Sequence, residues 1–139
     1  MHVSSPFSLL RRVLLVDAVS AGSMGLVLLV FAPQLTALLE LPAALLRESG
    51  TVLLPLAAFV GYLATREQPP RAGVWLVIAL NAVWAIDSIL LLFTDWIAPN
   101  ALGAAFVILQ ALVVAVLAEL EFVGLRKATM PQEAARSRL

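Results

Sequence analysis

Cysteine is absent from this chain of 139 residues, which removes disulfides, thiolate metal sites, iron–sulfur clusters and paired-cysteine redox chemistry together. Histidine is nearly absent: the single one is His2, at the start, so a haem held between helices would find no axial imidazole in any apolar segment. Charge is scarce as well. Only 13% of the residues are charged, nine basic against nine acidic, where an ordinary soluble domain has about a quarter. A balanced net charge supplies no broad basic field for nucleic acid and no acidic excess of the kind that keeps a chain unfolded. The sequence also lacks a glycine-rich phosphate loop, a serine nucleophile with a base in reach and a cluster of metal ligands. Neither enzyme chemistry nor a cofactor is expected of it.

What the chain has in excess is apolar surface: 62% of it is hydrophobic, with a mean hydropathy of +1.00. A soluble fold of this length could bury one core but not four long apolar runs with short polar breaks between them. Since about 20 apolar residues in a helix cross the hydrocarbon, the runs predict spans over 13–31, 51–65, 74–93 and 100–120. The first run is longer than the apolar part of a signal peptide and is followed by further spans, so it reads as retained. The second is short unless it tilts or recruits residues before Gly50, and it carries Pro55 in its first turns. The Pro69-Pro70 break precedes the third span, and Pro99 the fourth. Residues 1–12 and 124–139 read as flanking segments, the second polar and mobile. The expected fold is an all-α integral membrane bundle of four helices.

Orientation follows from lysine and arginine, which short cytoplasmic loops retain. Arg11 and Arg12, Arg66 and Arg71, and Arg126, Lys127, Arg136 and Arg138 all fall on one side of the expected spans; Arg47 alone falls on the other. This predicts both termini on the cytoplasmic side, in the inner (plasma) membrane. Trp75 and Trp96 mark opposite ends of the third span, as interfacial belts prefer, whereas Trp84 falls near its middle. In the first extracytoplasmic loop, 32–50, Leu35, Leu38 and Leu39 precede Pro42, and Leu45 and Leu46 follow. That spacing predicts a short helix lying in the interface, either sealing the helix ends or acting as a lid.

Polar groups inside the spans cost about 2.5–3.5 kcal/mol each when charged and are functional candidates for that reason. Asp87 lies past the middle of the third span, with Asn81 and Ser88 on the same broad face at 100° per residue. Asp17 comes early in the first span and Gln110 near the middle of the fourth. At helical spacing Asp17, Ser20, Ala21 and Met24 form one stripe, Asn81, Trp84, Asp87 and Ser88 a second, and Gly103, Gln110 and Glu121 a third. If these stripes converge, one reading is a small polar cavity that binds a headgroup or relays a proton through Asp87. The other is structural: Asn81, Gln110 and a protonated Asp87 bonding across helices at about 1 kcal/mol each. Asp17 also suits an ion pair near Arg11 and Arg12. Glu119 and Glu121 read as boundary residues that point in different directions.

Ala18 with Gly22 and Ala21 with Gly25 make small-residue pairs on the first span, and Ala104, Ala111, Ala115 and Ala118 a seam on the fourth, all suited to close helix packing. Residues 15–21 resemble 79–85 at a fixed offset that pairs Asp17 with Asn81. Two spans per unit would give parallel repeats about an axis along the membrane normal, and chance similarity of apolar helices is the other origin.

The four-span plan, the acid early in the first span, the long first loop, Asp17 with Gly22 and Gly25, and Asn81 with Trp84 resemble the DoxX-like small bacterial membrane proteins over about residues 10–126. The resemblance implies a left-handed four-helix bundle and an accessory role beside a redox complex, and it identifies no catalytic residue. Three functions stand open: a non-catalytic accessory or scaffold subunit, in a membrane complex or homo-oligomer; a binder or carrier of a small amphiphile such as a lipid or quinone; and an ion or proton pathway through Asp87. The bilayer is the one partner common to all three.

Overall fold

The structure is a computed structural model that describes residues 6–138, the side chains of 131–135 excepted. His2 and the rest of 1–5 lie outside the described residues, as does Leu139. Five helices form in order: α1 Ser8–Val30, α2 Ala32–Leu39, α3 Ala43–Thr65, α4 Arg71–Leu91 and α5 Ala101–Arg136. All but α2 are long and apolar enough to cross a membrane. Their outward faces carry bare apolar side chains, with Val19 60% and Leu109 64% exposed. Such faces need lipid as their solvent, since helices satisfy their backbone polar groups internally and can spare water. The chain is an integral membrane protein with four candidate spans.

The helix bounds differ from the sequence expectation in two places. The second spanning helix begins at Ala43, not near Thr51: Arg47 and Glu48 are exposed while Leu46 and Gly50 are buried, so the polar residues sit on the outer face of a helix already under way. Pro55 therefore stands inside α3, where its missing N–H leaves the Thr51 carbonyl without an amide partner. The last helix does not stop near Leu120 but runs unbroken to Arg136, about 54 Å at 1.5 Å per residue, well beyond a hydrocarbon core of about 30 Å. Most of the tail expected to be mobile is thus helical.

The spans run up, down, up and down. At one end Arg11 Nε donates to the Ala64 carbonyl, 3.2 Å away, joining the start of α1 to the end of α3, and the α1 residue Leu10 lies against Gly124 of α5. Arg66, Arg71, Arg126 and Lys127 share this basic end. At the far end α1 crosses α3 at Gly25 and Gly50, where a Cβ on Gly50 would come within 2.7 Å of the Gly25 carbonyl. Only glycine lets the two backbones approach this closely. The small residues of α1 are consumed here, inside the chain: Gly22 faces Ala57, and Ala18 faces Gly61.

Packing is uneven around the ring. Helix α1 lies along α3 and α4 along α5, α1 also meets α5, and α3 barely touches α4. Two apolar clusters close the bundle along its axis. At the basic end Leu10, Leu14, Val60, Leu63, Val74, Val77 and Leu125 pack together from all four spans. At the far end Leu28, Leu46, Leu53 and Val107 pack with Ala32 and Leu39 of α2 and with Leu41 and Ile97. Helix α2, the short helix expected between the first two spans, is fastened to α5: Asn100 donates from its side chain to the Leu38 carbonyl at 2.8 Å, and its backbone N–H to that of Leu39 at 3.3 Å. Gly103 permits the junction, because a Cβ there would overlap the Leu39 carbonyl oxygen.

Candidate functional site

Between the two apolar clusters the interior turns polar. Asp17 of α1, Asn81 of α4 and Glu121 of α5 meet there, and they are the buried polar residues of the core, from 0% exposed for Glu121 to 5% for Asp17. Each sits one turn from a residue of the basic-end cluster: Leu14 precedes Asp17, Val77 precedes Asn81 and Leu125 follows Glu121, so helical spacing alone carries the three inward. The Asn81 amide nitrogen donates both its protons, to Asp17 Oδ2 at 2.8 Å and to Glu121 Oε1 at 3.0 Å. Glu121 Oε2 is enclosed, and the Asp17 and Glu121 carboxyl groups are hydrogen-bonded to each other, which requires a proton on one of them. No arginine, lysine or histidine among the described residues bonds to either; Arg11 Nε donates instead to the Ala64 carbonyl.

A cavity of about 210 Å³ opens above this node, toward the far end. All four spans line it: Asp17, Ser20, Ala21 and Met24 from α1, Leu53 and Leu56 from α3, Asn81 and Trp84 from α4, and Phe106, Gln110, Val113 and Leu117 among those from α5. Along α1 it extends about 10 Å from Asp17 to Met24, at 1.5 Å per residue. Asp17 and Asn81 form its polar floor and Glu121 stands behind them. Higher up, Trp84 Nε1 donates to Gln110 Oε1 at 3.0 Å, and Gln110 Nε2 donates to the Val107 carbonyl at 2.9 Å. Ser20, Leu109 and Val113, all on the lining, are exposed on the outer surface. The cavity therefore opens sideways, between α1 and α5.

A second, wider space of about 800 Å³ lies where α3 and α4 diverge, bordered by Pro55, Leu56, Phe59, Trp84, Asp87 and Ser88 among others. Leu56 and Trp84 belong to both walls, so the Trp84 indole, tethered to Gln110, partitions the central cavity from this lateral groove.

The structure thus divides the residues singled out by sequence. Asp17 and Asn81 join the node, and Trp84 and Gln110 pair across α4 and α5. Ser88 donates back to the Trp84 carbonyl at 2.7 Å and borders the groove. Asp87 is separated from Asn81: it is exposed in the groove, four residues from the end of α4, with no hydrogen-bond partner among the described residues. Glu119 is exposed at the bundle surface. Glu121, expected both on one face with Gln110 and as a boundary group just past the fourth span, is an interior residue; its helical spacing from Gln110 is the signal that locates it.

The chain matches no protein-family model, no curated protein and no solved structure.

Proposed function

We propose that this protein binds a small membrane-soluble amphiphile, with a ring-sized headgroup seated in the central cavity and its apolar remainder leaving sideways into lipid. One observation carries this reading: the cavity is stopped at the basic end by an apolar cluster, narrows at the far end into a small pocket of about 80 Å³ among Leu28, Leu41 and Leu46, and opens laterally, between spans. A substrate that arrives from lipid fits such a vestibule, whereas an ion or proton path needs a wet route along the axis. The size suits one substituted ring, since an engineered cavity of about 150 Å³ accepts benzene. Polar groups at the floor and the Trp84–Gln110 pair above orient a headgroup against otherwise apolar walls, the usual make-up of a small-molecule site.

The accessory-subunit reading has less to draw on, because the small-residue seam of α1 that a partner helix would need faces α3. The DoxX-like reading has no family match behind it and adds no ligand. In the proposed setting the basic end faces the cytoplasm, following the lysine and arginine bias; α2 lies at the opposite interface and caps the cavity's far end. Native mass spectrometry from gently solubilised membranes tests the proposal. A lipid-like mass should stay with the wild-type chain and be lost from Ala21→Phe, which fills the cavity, provided that variant keeps its helical content. A chain that carries no such mass, or carries it equally in both forms, contradicts the reading; a stoichiometric protein in its place favours the accessory role.

A further inference from the structure

We infer that the headgroup this cavity selects is cationic: an amine or quaternary ammonium with an apolar flank, held by Asp17 with Glu121 behind it. The inference rests on the cavity reading above and names its ligand class. Two carboxyl groups from different spans, Asp17 and Glu121, are drawn to one amide nitrogen with no arginine, lysine or histidine bonded to either among the described residues. Burying carboxylates without a counter-ion is costly, and such groups are ordinarily paired. Here the missing partner has a place to sit, because Asp17 forms part of the cavity wall.

Asn81 has given both of its amide protons, and the proton between the Asp17 and Glu121 carboxyl groups is held within that pair. The node therefore has no spare donor and no positive charge to offer, so a headgroup that only accepts hydrogen bonds, such as an oxidised quinone carbonyl, finds no partner in it. An anionic phosphate would be repelled. The other walls suit a cation with an apolar body: Trp84 and Phe106 line the same cavity, and aromatic faces attract ammonium groups, most strongly when water is excluded. The Trp84 N–H is already committed to Gln110, which leaves its ring as the contact it can offer.

The test compares benzyltrimethylammonium with neopentylbenzene, its uncharged carbon isostere, on the full chain in lipid nanodiscs, with empty nanodiscs as the partition control. With Trp75→Phe and Trp96→Phe in place, Trp84 emission reports occupancy. The cation should bind saturably and at least about tenfold tighter than the isostere. Asp17→Asn should erase that preference while the isostere still binds, which shows the fold and cavity to be intact. Glu121→Gln, which leaves a neutral donor beside Asp17 and alters no group on the wall, should change the preference by a smaller factor. If the isostere binds as tightly as the cation, or the cation preference survives Asp17→Asn, the cationic assignment is overturned and the cavity reading stands. If neither compound binds saturably, the cavity reading itself falls and takes this one with it.

Discussion

Asn81 is the residue on which the interior depends most heavily. Its amide donates to both buried carboxyl groups, and in a low-dielectric interior the loss of that donor leaves one oxygen of each unsatisfied. Asn81→Leu is expected to destabilise the bundle by about 3 kcal/mol. Gln110→Leu, which breaks a single neutral bond to Trp84, should cost about 1 kcal/mol, the usual worth of such a bond between membrane helices. Unfolding by graded detergent titration ranks the two. Equal losses would deny the node its structural weight. At this scale Asn81 was legible in the sequence as a polar group inside a span, and its bond to Asp17 joins residues 64 apart; the ion pair expected of Asp17 near Arg11 and Arg12 is not formed among the described residues, where Arg11 Nε bonds the Ala64 carbonyl instead. Glu121 was legible only in part: its stripe with Gln110 pointed inward, whereas a carboxylate near a run of charged residues looks like the end of a membrane helix. The extension of α5 beyond it turns a supposed boundary group into an interior one. Asp87 misled in the opposite sense, since depth along a span says nothing about direction, and its side chain faces the groove instead of the node.

Among the elements, the α1–α3 pair is set by the crossing of Gly25 and Gly50. A methyl group on Gly50 would press on a backbone oxygen that cannot rotate away, whereas one on Gly61 would meet Ala18 at an ordinary 3.7 Å. Gly50→Ala is therefore expected to lower stability by about 2 kcal/mol, and Gly61→Ala to be neutral or mildly stabilising, since alanine favours a helix over glycine by about 1 kcal/mol. The same detergent titration distinguishes them, and indistinguishable midpoints would contradict the close crossing. The spans themselves were readable from hydropathy, and the small-residue pairs on α1 from spacing. The start of α3 was not, because Arg47 and Glu48, exposed on a continuous helix, and the half-buried Ser49 depress its hydropathy there. The α2 helix was visible in its leucine spacing; its fastening to α5 through Asn100 and Gly103 joins residues about sixty positions apart, and no local pattern reports a contact of that range.

For the molecule as a whole, the two closely packed helix pairs, α1 with α3 and α4 with α5, meet chiefly where α1 touches α5 and part where α3 faces α4. The matching segments of α1 and α4 fall one in each pair, the arrangement a parallel repeat would produce. The central cavity lies between the pairs, and the absence of cysteine from the sequence makes a direct probe of it possible. Methyl methanethiosulfonate crosses lipid freely, and it reacts with a thiolate and not with a thiol, so its rate reports polar surroundings more than access. On single-cysteine chains in lipid, Ala21→Cys places the thiol on the cavity wall, while Val19→Cys places it on the bare outer face. If the four spans enclose a polar-floored cavity, the ratio of the rate with cationic aminoethyl methanethiosulfonate to the rate with the neutral methyl reagent, in which the thiolate fraction cancels, is at least about tenfold higher at position 21 than at position 19. Equal ratios, or a higher ratio at position 19, would contradict it.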